Sequence, residues 1–144
     1  LPDFLVASNM AGLAFGSAGC GAVHALSYPI GANFHVPHGQ ANYLLFAACF
    51  RMYARKHADL SRVEAKIASV LGCDTAAVWE PLENLLDRIL ARKPLESYGM
   101  TEAHLNAFPA TVLKTQQRLL GNMPVEFTEA DIREIYASCM EGKY

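Results

Sequence analysis

The 144 residues are 52% hydrophobic and carry 12 Lys or Arg against 14 Asp or Glu, a formal charge of -2. That length and apolar content suit one domain with a real core, and the nearly balanced, scattered charge gives no pull toward nucleic acid or an anionic membrane surface. The 4 cysteines are far apart and form no CxxC pair, which suits reduced, buried thiols in a cytoplasmic protein and argues against a disulfide framework.

From Phe4 to Phe50 there is no Asp, Glu, Lys or Arg, so the stretch is expected to lie mostly out of water. Asparagines, histidines, prolines and glycines interrupt it, leaving no run of about 20 apolar residues and hence no membrane span. The chain opens Leu-Pro-Asp without an initiator Met, a basic leader or a cleavage signal, and reads as a piece of something longer.

Asp3 to about Ala18 is expected to be a buried helix. Its Gly12 and Gly16 would be tolerated where another backbone comes close. Gly19-Cys20-Gly21 then breaks the chain. Ala22 to Tyr28 reads as a second helix that kinks or stops at Pro29, with His24 and Tyr28 four apart on one face. A loop from Ala32 to Val36 leads to Pro37, whose fixed φ suits the first position of a third helix running to Lys56. Ala41, Leu44, Leu45, Ala48, Cys49 and Met52 form its inward stripe. His38 falls in its first turn, where the helix dipole favours a neutral imidazole able to act as a ligand.

The remainder reads as charged, amphipathic helices. Ser61-Arg-Val-Glu64 has capping-box spacing before a helix that Gly72 stops, and Leu82, Leu85, Leu86, Ile89 and Leu90 recur at helical period between Pro81 and Pro94. Thr101 caps a short turn, Pro109 opens a helix to about Leu120, and Thr128 starts the last one, whose apolar face is Ile132, Ile135, Tyr136, Cys139 and Met140. No segment alternates at period two, so the fold class is all-α, a helical bundle.

Of the 5 histidines, His57 and His104 lie in charged surroundings and read as surface residues. His24 and His38 are candidate metal ligands, but two imidazoles do not close a site that ordinarily takes three or four protein groups. The segments Ala11-Gly-Leu-Ala-Phe15, Gly19-x-Gly-x-x-His24-Ala with Gly31, and Pro37-His38-Gly39-x-Ala-Asn42 resemble the signature of the iron-containing (group III) alcohol dehydrogenases. The resemblance covers about Ala11 to Tyr43, and the helical remainder is compatible with it.

The resemblance implies the all-helical C-terminal domain of a two-domain, dehydroquinate-synthase-like fold, so that residues 1–144 form a single metal-binding domain without the N-terminal α/β domain that binds NAD. It implies His24 and His38 as metal ligands for Fe²⁺, with Zn²⁺ as the alternative, completed by an Asp and a His upstream of Leu1. Where the family generally has a further histidine near the nicotinamide, this chain has Tyr28, whose hydroxyl can donate a hydrogen bond to cofactor or substrate. His35 sits where the family varies and reads as a buried structural residue or pocket lining.

The implied reaction on a small aldehyde or alcohol is reduction of succinate semialdehyde by NADH to 4-hydroxybutyrate. The substrate carboxylate would find only Asn33, Asn42 or His35 in the uncharged stretch. The domain alone is expected to be inactive. The face left where its own N-terminal domain docks would favour homo-oligomer formation. A non-catalytic helical interaction module and a stand-alone metal-binding domain are the alternatives.

Overall fold

The computed structural model describes residues 1–142. It contains eight α-helices and no strand among the described residues: α1 (Pro2–Ala18), α2 (Ala22–Phe34), α3 (His38–Arg55), α4 (Ser61–Leu71), α5 (Trp79–Ile89), α6 (Glu102–Thr115), α7 (Gln117–Leu120) and α8 (Glu129–Met140). Short 3-10 turns at Thr75–Ala77 and Leu95–Tyr98 link the middle elements.

The core is built by α2, α3, α6 and α8. All six residues of the expected α3 stripe are buried, joined by Ala47 and Tyr53. Against them pack Leu26 and Ile30 of α2, Leu105, Phe108 and Val112 of α6, and Ile132, Ile135 and Tyr136 of α8. Buried polar atoms stitch these layers. Tyr136 Oη donates to the Leu26 carbonyl at 2.7 Å, and the Ala22 N–H at the start of α2 donates to Tyr53 Oη at 3.3 Å. Burial pushes the Tyr53 phenol up to about 12.

Helix α1 forms as expected, but it is not buried. None of its residues is covered, and Phe4 and Leu13 stand 80% and 68% exposed. A Cβ on Gly12 or Gly16 would meet nothing within 4 Å, so no neighbouring backbone uses those glycines. Absence of charge identified an apolar surface here and not what covers it. No single helix among the described residues is long and apolar enough to cross a membrane; α1 and α2 pass together by composition but meet at a bend of 106°.

Helix α2, expected to kink or stop at Pro29, does not stop there but continues to Phe34, and α6, expected to open at Pro109, runs through it from Glu102 to Thr115. An interior proline costs about 3 kcal/mol. Burial of Ile30 beyond Pro29, and of Pro109 itself with Val112, outweighs it. At α4 the expected Ser61 cap is replaced by Asp59, whose Oδ1 accepts from Ser61 N and Oγ at 3.0 and 2.6 Å.

Helix α5 also departs from expectation. Only Leu82 and Leu86 of its stripe are half-buried, Leu85, Leu90 and Ile89 facing outward with Ile89 74% exposed, and its buried residue is Glu83. The Glu83 carboxylate receives Arg51 from α3 through both oxygens and Arg92 at 3.4 Å, and the Arg92 side chain is only 4% exposed while also holding Asp87 at 2.6 Å. Charge-assisted bonds, not the leucines, set which side of α5 turns inward.

Candidate functional site

The turn between α2 and α3 creates the site. His35 ends α2 in the left-handed region at φ 54, which reverses the chain, and the connector runs back along α2 so closely that a Cβ on Gly31 would lie 3.5 Å from the Val36 carbonyl oxygen. Pro37, in extended geometry, immediately precedes α3, so that His38 is its first residue. The doubling back places the start of α3 beside the first turns of α2 rather than beside its end.

His24 and His38 therefore meet. Their ring centroids are 5.3 Å apart with planes tilted by 57°, and the Tyr28 ring stacks on His38 at 5.9 Å with planes 16° apart. His24 is half-buried while His38 and Tyr28 are exposed at the rim. Burial first, and the neighbouring His38 second, hold the His24 imidazole below its ordinary pKa, which keeps it neutral with a free lone pair near pH 7.

Asn42, one turn after His38, brings its Nδ2 to 3.2 Å from His38 Nε2. Its Oδ1 is buried and is the side-chain polar atom left without a hydrogen bond among the described residues. Two imidazoles at this separation suit bonds of about 2 Å each to one shared ion, and an amide with an unspent oxygen beside them suits a polar guest. The described residues contain no cluster of three or more His, Cys, Asp or Glu donors, so His24 and His38 meet without a third such donor beside them.

Beside the histidines opens a groove of about 540 Å³ whose walls include Phe15 of α1, His24 and Val23 of α2, Asn42, Tyr43 and Phe46 of α3, and Leu82 and Leu86 of α5. Its walls are almost wholly apolar. Tyr43 Oη is tied to the Leu90 carbonyl at 2.8 Å, which ties the end of α5 to α3 along one wall.

The other candidates fall outside this constellation. His35 is exposed, not buried, and acts as a turn former; Asn33 is exposed and spends its Nδ2 on the Pro29 carbonyl at 2.8 Å. Among the three residues considered as carboxylate anchors, Asn42 alone lines the groove. His57 is exposed as expected, whereas His104 is half-buried, caps α6 by accepting from the Thr101 N–H at 3.2 Å and packs on Phe34. Phe15, Phe46, Leu82 and Leu86 were not foreseen as one lining, because they come from three helices whose packing no periodicity reveals.

Residues 2–140 match the family described as Fe-containing alcohol dehydrogenase, C-terminal. Among curated relatives, the chain is 48% identical over 138 residues to a 4-hydroxybutyrate dehydrogenase of Clostridium kluyveri, covering 94% of this chain and 37% of that protein. It is 33% identical to long-chain-alcohol dehydrogenase 1 of Geobacillus thermodenitrificans, covering 97% of this chain and 37% of the relative. A probable alcohol dehydrogenase, EutG, of Salmonella typhimurium is 32% identical, with 94% and 34% covered. The chain thus spans little more than a third of the length of these relatives.

Proposed function

The chain belongs to the Fe-containing alcohol dehydrogenase family, and from that premise we propose that it is the helical, metal-holding part of an NAD-linked dehydrogenase that interconverts succinate semialdehyde and 4-hydroxybutyrate. The observation that carries the reading is the pairing of His24 and His38 at 5.3 Å beside an apolar groove. The 48% identity to a 4-hydroxybutyrate dehydrogenase over nearly the whole chain supports the substrate, and the free state of all four cysteines supports a cytoplasmic enzyme.

In this reading residues 1–144 act as one domain, and an α/β domain outside them binds NAD. The divalent ion, Fe²⁺ with Zn²⁺ as the alternative, supplies Lewis acidity toward the carbonyl oxygen of the aldehyde. His24 and His38 hold it, the first kept neutral by burial and the second braced on its face by Tyr28. The Tyr28 hydroxyl, at the rim, donates toward cofactor or substrate. Phe15, Phe46, Leu82 and Leu86 exclude water from the methylene chain of the substrate. Asn42 offers its amide to the polar end of the substrate.

The test uses a chimera in which this chain replaces the matching 138 residues of the Clostridium kluyveri relative. Reduction of succinate semialdehyde by NADH is expected, falling at least 100-fold on His24→Ala or His38→Ala. A chimera that binds metal yet reduces other aldehydes and not succinate semialdehyde would overturn the substrate. Unaffected turnover in both histidine variants would overturn the assigned roles.

A further inference from the structure

The proposed substrate carries a carboxylate, and the groove beside His24 has no Lys, Arg, Asp or Glu among its described lining residues. It has the open end of a helix instead. Gly19 to His24 run along one wall, and α2 begins among them at Ala22, with no side chain capping it. The first helical bond of α2 is made by the Ala25 N–H, which reaches the Gly21 carbonyl at 3.1 Å. The Val23 and His24 N–H groups therefore have no partner within the helix, and the positive end of its dipole lies at the groove.

Tyr53 stands at that same end. It comes from the last turn of α3, is 5% exposed, and is held by Phe50 and Phe127 at ring-centroid distances of 5.6 and 4.9 Å. Its Oη lines the groove and accepts the Ala22 N–H at 3.3 Å. Burial raises the phenol to about 12, so the hydroxyl keeps its proton at neutral pH, and among the described residues that proton meets no acceptor. A buried O–H left without an acceptor is costly, and a guest that supplies one removes the cost.

We infer that Tyr53 selects the substrate: its O–H, together with the Val23 and His24 N–H groups of α2, seats the carboxylate of succinate semialdehyde. The inference rests on the functional reading above and adds the residue that distinguishes an acid from a plain aldehyde. Every group at this seat is a donor, which favours an anion over an uncharged chain end. Asn42 does not compete for the carboxylate, because its Nδ2 is spent on His38 at 3.2 Å and the Oδ1 left over is an acceptor. The seat is also close to the histidines. Gly21 to His24 spans about 4.5 Å at 1.5 Å per residue, so a guest that reaches both is a short chain of a few carbons.

The chimera described above tests this with two aldehydes of equal chain length, succinate semialdehyde and butanal. Tyr53→Phe is expected to lower the ratio of their kcat/KM values at least 20-fold, chiefly by raising KM for the acid. The same change is expected to weaken 4-hydroxybutyrate binding to the metal-free chimera at least 10-fold in an NMR titration. Gly21→Ala keeps Tyr53 and, with φ -117, lies outside the left-handed region, but it sets a methyl 3.4 Å from Tyr53 Oη; it is expected to lower the ratio at least 10-fold. An equal fall on both aldehydes in Tyr53→Phe shows that the phenol only supports α2, and overturns the inference while the enzyme reading stands. Unchanged 4-hydroxybutyrate binding does the same. If Tyr53→Phe fails to fold, an unchanged ratio in Gly21→Ala overturns it. A chimera that reduces butanal and not succinate semialdehyde overturns the functional reading, and this inference with it.

Discussion

A single backbone position shows how tightly the entrance to the site is specified. Gly19 has φ 78 and ψ 178, a region open in practice to glycine alone, and a Cβ there would lie 2.5 Å from Asn122 Nδ2, which itself donates to the Cys20 carbonyl at 3.0 Å. Gly19→Ala is therefore expected to cost about 2–4 kcal/mol, the sum of backbone strain and one displaced hydrogen bond, read from urea unfolding. Adding Asn122→Ala removes the clash and not the strain, so the double variant should recover little; full recovery would locate the cost in the side chain alone. At this scale the sequence was informative where residue chemistry is unusual. His24, Tyr28 and His38 stand out by type and spacing, and they come together. The groove lining did not, since Phe15 or Leu86 looks like any other core residue until its neighbours are known.

Among the elements, helix ends carry the clearest local encoding. Thr128 starts α8 as the sequence suggests, and the structure adds a capping box there, with Thr128 N and Oγ1 donating to Asp131 Oδ2 at 2.7 and 2.8 Å. Burial opposes the Asp131 charge, but Lys56 at 2.7 Å and the Thr128 donors outweigh it and hold the carboxyl below its ordinary value. A carboxyl depressed in the folded state contributes stability that is fully present above its unfolded pKa of about 3.9 and is lost as pH falls through the folded value. Stability is thus expected to fall as the pH drops below about 4, and Asp131→Asn should flatten that acid limb while costing about 1 kcal/mol at pH 7; an unchanged acid limb would show that the Lys56–Asp131 contact does not persist in solution. The prolines and α5 teach the converse. Local rules place boundaries at Pro29 and Pro109 and point the leucines of α5 inward, whereas the burial of Ile30 and Val112 and the Glu83–Arg51 pair override them. Those competitors lie far away in sequence, on α3, α6 and α8, and no window around the residue itself contains them.

For the molecule as a whole, the all-α architecture was readable because α3 and α8 have clean periodicity and nothing alternates at period two. The fate of the uncharged stretch was only half readable. Its second half, α2 and α3, is the core, and its first half, α1, is bare. Lack of charge measures how a surface prefers to be treated, and the partner that satisfies the preference is a separate fact. On the proposed reading the same incompleteness recurs at the centre, where two imidazoles meet and a bound ion would need further donors. Metal content measures this most directly. Zn²⁺ or Fe²⁺ is expected at one ion per subunit in the chimera with the Clostridium kluyveri relative, weak and substoichiometric in the isolated 144 residues, and lost from the chimera on His24→Ala with His38→Ala. Full metal occupancy in that double variant would contradict the account, as would tight one-to-one uptake by the isolated chain.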